Sequence, residues 1–154
     1  ASIRTDAEGS LKALGVDQQL CFAVYAASHA FTRFYTPLLG QLELPYPPYL
    51  VLLTLWETDG LSLGAIGEKL LLDSGTLTPL LKRMETGGFL TRRRAPADER
   101  QVLVHLTEKG RGIEAIAAAF PAAIGRAAGC SAAEAEALRR QVVALGASLD
   151  AVAA

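Results

Sequence analysis

The chain has 154 residues, 51% of them apolar and 20% charged, with a formal net charge of −1. One domain of that size buries a real core, so a disordered chain is excluded, and so is a membrane-spanning helix, which needs roughly twenty apolar residues where the uncharged stretch 44–56 offers thirteen with three prolines. Two cysteines do not make a disulfide framework, so a reducing cytoplasm is the expected compartment, and residues 1–6 lack the basic-then-apolar order of a leader peptide.

A helix is expected over residues 17–40, with Asp17 as its cap. Leu20, Cys21, Val24, Ala27, Ala30, Phe31 and Phe34 recur at helical spacing, and Pro37 and Gly40 weaken and end it. The run Pro45, Tyr46, Pro47, Pro48 reads as a rigid connector. Residues 49–58 then form a strongly apolar second helix, stopped by Asp59 and Gly60. Ser62 caps a short helix to about Leu70, with Leu63, Ile66 and Leu70 inward. After a turn at Leu71, Leu72 and Asp73, residues 74–86 form a helix that turns Leu77, Leu80, Leu81 and Met84 inward and ends at Gly87 and Gly88.

The period changes next. Residues 89–94 and 101–106 read as two strands of a hairpin with a charged tip at 95–100. Thr107 opens a long alanine-rich helix, interrupted at Pro121 and ended near Gly129. Ser131 and Glu134 form a capping box for a last helix to about Val152. From residue 112 onward 17 of 43 residues are Ala, small enough for close helix–helix approach. The terminal helices cannot bury their apolar faces on so small a central unit, which predicts an obligate homodimer.

Charge is distributed unevenly. Residues 1–60 hold three basic and six acidic side chains, whereas residues 82–111 hold Lys82, Arg83, Arg92, Arg93, Arg94, Arg100, Lys109 and Arg111 against Glu85, Asp98, Glu99 and Glu108, a net of +4. That excess is either an ordinary solvated face or the footprint of a polyanion. A short helix, a tight turn, a second helix and a hairpin make a winged helix-turn-helix, whose second helix enters the major groove. The fold expected is therefore mainly α with a small β-hairpin wing, a single domain in which 61–106 is the DNA-binding lobe and 17–58 and 107–152 are dimerisation helices. Ser74, Gly75, Thr76 and Thr78 are small and polar where such a helix meets base edges and phosphates. Lys82 and Arg83 follow one or two turns on, and Arg92, Arg93, Arg94 and Arg100 put cations on the hairpin.

At this point a family resemblance emerges. Asp98, Glu99, Arg100 and the following Val102 to Gly110 resemble the wing signature of the MarR family of dimeric transcription regulators. The run from Leu72 through Ser74, Gly75, Thr76, Thr78, Pro79, Lys82 and Arg83 looks like the recognition helix of its organic-hydroperoxide branch, OhrR. The resemblance covers about residues 17–150. It implies a repressor dimer on pseudo-palindromic duplex DNA, with those recognition-helix residues and Arg94 on the DNA, and with Asp98 orienting Arg100 into the minor groove.

The thiols and phenols carry the remaining chemistry. Cys21 lies on an apolar helix face, where a buried, inert cysteine is the ordinary outcome. Tyr25 is one turn on. Tyr35, fourteen residues on, shares the face of Cys21 but lies about 21 Å along the axis, so the two can meet only across an antiparallel pair of helices. Tyr46 can fold back as a second donor. A peroxide-reactive thiol must ionise near neutral pH, and phenol hydroxyls aimed at sulfur favour the thiolate. The spacing of Cys21, Tyr25, Tyr35 and Tyr46 resembles the OhrR sensor site, where the cysteine is the peroxide-reactive thiol. Cys130, at the joint of the last two helices, resembles the resolving cysteine of two-cysteine OhrR proteins, which implies an intersubunit disulfide with Cys21. His29 and His105 offer no zinc-ligand spacing, no cofactor motif is present, and Trp56 and Phe22 read as core. The reading expected is a non-enzymatic repressor released by organic hydroperoxide. The alternatives are a MarR-type repressor released by a non-covalent phenolic ligand, and a thiol-dependent peroxidase.

Overall fold

A computed structural model describes residues 14–153; residues 1–6, read above for a leader, lie outside them. The elements in chain order are α1 (Leu20–Gly40), α2 (Tyr46–Glu57), β1 (Leu61–Ser62), α3 (Leu63–Leu70), α4 (Ser74–Thr86), β2 (Leu90–Ala95), β3 (Asp98–Leu106), α5 (Glu108–Gly112), α6 (Glu114–Ala117), α7 (Phe120–Ala128) and α8 (Ala132–Ala153). No single described helix is long and apolar enough to cross a membrane.

The core lies where α2, α3 and α4 meet the sheet. Leu52, Leu55, Ile66, Leu77, Leu81, Met84, Leu90 and Val104 are fully buried there, which includes the inward face expected for α4. Two caps fix the helix-turn-helix. Ser62 Oγ accepts from Ala65 N at 3.1 Å, and Asp73 Oδ1 accepts from Thr76 N at 2.8 Å. Between the helices Leu71 takes left-handed φ (58°), which ends α3. Gly67 allows the tight turn, because a Cβ there would stand 2.8 Å from the Leu72 carbonyl oxygen.

Several boundaries differ from the sequence reading. Asp17 does not cap α1: it falls inside a 3-10 turn, Val16–Gln18, too early to reach the first helical amides, and Gln19 holds the cap position. Residues 45–48 are not a separate connector. Pro47 and Pro48 form the first turn of α2, where a missing N–H costs nothing. The hairpin strands reach further toward the tip than expected, so that Ala95 pairs with Asp98 around a two-residue turn, and β1 adds a third strand in the order β1-β3-β2. The alanine-rich helix is three short helices. One break follows Gly112; the other, after Ala117, is the interruption expected at Pro121, which sits in the first turn of α7 and has no N–H for the Ala117 carbonyl. Gly110 and Gly112 are poor helix formers, and the Gly110 carbonyl accepts from Trp56 Nε1 at 2.8 Å. Gly110 must stay glycine, because a Cβ would run into the Phe89 carbonyl oxygen.

Asp59 ties these parts together. Its Oδ1 accepts from Leu106 N at the root of β3 (2.8 Å), and its Oδ2 accepts from Arg111 of α5 (2.7 Å). Partial burial opposes ionisation, but these donors outweigh it and hold the carboxyl below its ordinary range. Asp59→Ala should therefore lower unfolding free energy by about 1–2 kcal/mol at neutral pH and fixed protein concentration, measured by urea denaturation. A carboxylate with a depressed folded pKa stabilises above its unfolded value. The gap between wild type and variant should close as pH falls below about 4.

Candidate nucleic-acid interface and thiol site

The exposed face of α4 carries Ser74, Gly75, Thr76, Thr78, Pro79, Lys82 and Arg83, opposite the buried Leu77, Leu80, Leu81 and Met84. The same periodicity that buries one stripe leaves the other in solvent. The β2–β3 hairpin stands beside it.

The eight cations of residues 82–111 divide into two groups. Arg92 is bound to Glu85 through its backbone N–H (2.7 Å) and its guanidinium (3.2 Å), so it is not an open cation. Lys109 Nζ donates to the Gly87 carbonyl and lies 4.4 Å over the Phe89 ring. Arg111 pairs with Asp59. Arg94 Nη1 donates to the Glu99 carbonyl at 2.7 Å, bracing the hairpin tip from within. Asp98 Oδ1 accepts from the Arg100 backbone N–H at 3.0 Å. It shapes the turn that presents Arg100 and does not hold the guanidinium. Among the described residues, the side chains of Lys82, Arg83, Arg93 and Arg100 make no hydrogen bond or ion pair within the chain, which leaves four open cations on α4 and the hairpin.

The thiols lie apart from this face. Cys21 is exposed in the first turn of α1, so it is not the buried cysteine its apolar neighbours suggested. Phe22 is 41% exposed and is not core within one subunit. Tyr25 packs its ring on His29 at 4.4 Å. At the other end of α1, buried Tyr35 meets Tyr46 at 5.3 Å and Tyr49 at 5.6 Å between ring centroids, so Tyr46 does fold back. Tyr25 and Cys21 stand outside this cluster.

Tyr49 is the member the sequence reading missed. It was visible only as one more apolar residue of α2. Burial raises the Tyr35 phenol pKa, with Tyr46 adding to it, burial raises that of Tyr46, and Tyr49 is pushed up to about 12 by burial and by both neighbours. All three therefore remain protonated hydrogen-bond donors at neutral pH. Cys130 is half-buried after left-handed Gly129, its Sγ 3.5 Å from the Ala128 carbonyl and next to the Ser131–Glu134 capping box.

A groove of about 680 Å³ runs between α1 and α8, lined by Leu20, Val24, Phe31, Tyr46, Leu138 and Val142 among others. Leu20, Phe31 and Leu138 in this groove and Val143 and Leu149 outside its lining are exposed, an apolar surface that one subunit leaves open. Among the described residues no group of three His, Cys, Asp or Glu side chains is placed to hold a metal ion.

Comparison with known proteins places this arrangement. The sequence profile described as "Transcriptional regulator SarA/Rot" matches residues 33–115. The HTH-type transcriptional regulator TtmR of Methylorubrum extorquens is 55% identical over 80% of this chain, which spans 63% of that protein's length. The organic hydroperoxide resistance transcriptional regulator of Bacillus subtilis is 48% identical over 76% of this chain and 80% of its own. Reduced AbfR bound to DNA superposes with a TM-score of 0.75 at 35% identity, covering 91% of this chain and 98% of that chain; the disulfide-formed AbfR gives 0.62.

Proposed function

The chain belongs to the winged-helix family of SarA/Rot- and MarR-like transcriptional regulators, in the organic-hydroperoxide branch, and from that premise we propose that it is a dimeric repressor that leaves its operator when Cys21 is oxidised by an organic hydroperoxide. The observation that carries this is an exposed thiol at one end of α1 and, near the other, the phenol of Tyr35 with Tyr46 of α2 packed against it, on a helix whose apolar stripe is uncovered. Two such helices packed antiparallel bring Tyr35 and Tyr46 of one subunit over Cys21 of the other. The disulfide-formed and DNA-bound states of AbfR support the same chemistry.

In the reaction, the Cys21 thiolate attacks the distal peroxide oxygen. The O–O bond breaks, and the alkoxide takes a proton and leaves as the alcohol, giving a sulfenic acid. The Cys130 thiol of the other subunit then displaces hydroxide as water to form a disulfide. Lys82, Arg83 and the polar start of α4 face the major groove, and Arg100 sits at the wing tip for the minor groove. The groove between α1 and α8 gives the peroxide's organic group an apolar wall. It suits a second reading equally, a phenolic effector held without covalent chemistry.

Titrating DNA binding with cumene hydroperoxide, before and after thiol alkylation, separates them. Release that alkylation prevents supports the sensor. Release that survives alkylation supports the non-covalent ligand. Tyr35→Phe and Tyr46→Phe should each slow Cys21 oxidation, read by stopped flow across pH, and leave DNA affinity unchanged. Unaltered rates in the double variant would remove the phenols from the mechanism.

A further inference from the structure

We propose that Glu85 is a positioning residue that sets the offset between the recognition helix and the wing, so that both engage DNA at once; this rests on the DNA-binding reading above. Glu85 stands in the last turn of α4, and Arg92 stands mid-strand in β2, paired with Val104. One carboxylate makes three bonds to that one residue: Oε2 accepts from Arg92 N at 2.7 Å, and Oε1 accepts from Nη2 at 3.2 Å and Nε at 3.4 Å.

Strand β2 is an edge of the sheet, so the outward N–H of Arg92 has no neighbouring strand to bond. Glu85 supplies that acceptor, and the guanidinium folds onto the other oxygen, leaving the two side chains 36% and 23% exposed. The link therefore joins the backbone of the wing to the side of the recognition helix. Electrostatics alone argues against an acidic residue here. Lys82 and Arg83 lie within one turn of it on a face offered to a polyanion, and a carboxylate there repels phosphate. Its contribution is geometric, and it takes Arg92 out of the set of cations that meet DNA.

The test follows from that opposition. A duplex is selected by the wild-type protein from a random pool, and a second, shortened duplex keeps the major-groove half-sites but lacks the flanking base pairs the wing reaches. Glu85→Ala should bind the full duplex about tenfold more weakly than wild type, although it removes a negative charge. Glu85→Gln, which keeps an acceptor for the Arg92 backbone, should fall between the two. Arg92→Leu should lose a similar factor with its salt slope unchanged, and the double variant should lose no more than either single one. On the shortened duplex wild type and variants should converge, which a general loss of stability would not produce.

Tighter or equal binding by Glu85→Ala overturns the proposal, as does a defect of the same size on both duplexes. A salt slope reduced by about two in Arg92→Leu, one for each subunit of the dimer, overturns it too, because it makes Arg92 a phosphate ligand. A wild-type protein that enriches no duplex overturns the DNA reading itself and the proposal with it.

Discussion

Cys21→Ser is expected to bind operator DNA as wild type does and to ignore organic hydroperoxide at concentrations that release wild type completely. The serine hydroxyl stays protonated at neutral pH and cannot reduce the peroxide, so no sulfenic acid forms. Serine differs from cysteine by one atom, so the change costs little packing. Cys130→Ser tests the other half. It should still be oxidised at Cys21, yet form no disulfide and pass to sulfinic acid under excess peroxide, measured by intact-protein mass. Oxidised wild type should run as a covalent dimer on a non-reducing gel, and the Cys130→Ser protein should not. A covalent monomer with Cys21 and Cys130 joined would keep the sensor and refute the crossing of chains.

DNA affinity should fall about a thousandfold or more between 50 and 200 mM salt if the dimer contacts six to ten phosphates. The four open cations per subunit (Lys82, Arg83, Arg93 and Arg100) make that number reachable. Arg100→Ala should weaken binding by about 1–3 kcal/mol. The Asp98 bond goes to the Arg100 backbone, so Asp98→Ala should act by loosening the turn and should spare the salt slope. Fluorescence anisotropy across a salt series measures both. A flat salt response would contradict the winged-helix assignment of function.

What could be read from residues alone was whatever local chemistry decides. Ser62 caps α3 through a bond to an amide three residues away, so its neighbours in sequence sufficed, whereas Asp73, read only as part of a turn, caps α4 in the same way. The inward stripe of α4 followed from its period. The two-residue strand β1 has no period to detect, and its existence depends on Leu103 and Val104 about forty residues later. The break after Gly112 goes with a tertiary bond, Trp56 to the Gly110 carbonyl, whereas the one after Ala117 follows from the local effect of Pro121. In the wing, charge was countable but engagement was not. Arg92, Arg94 and Arg100 look alike in sequence, and only the fold shows one on Glu85, one on a carbonyl and one open. Asp59 read as a helix stop, whereas it bonds the root of β3 and Arg111. Cys21 was legible as a thiol one turn from Tyr25, but its exposure belongs to a helix that lacks its partner within the subunit.

Trp56 is the chain's single tryptophan, and its indole N–H is fastened to the Gly110 carbonyl between α2 and α5, with the Tyr49 ring 6.4 Å away. The molecule thus carries its own fluorophore at the point where the phenol cluster meets the root of the wing. Excitation absorbed by Tyr49 and its neighbours passes to Trp56 over a few ångströms, and the emission wavelength registers whether the indole keeps its carbonyl partner or gains water. Any signal that travels from the thiols to the DNA-binding lobe through this joint can be timed in the unlabelled protein, by watching a single emission band during peroxide mixing.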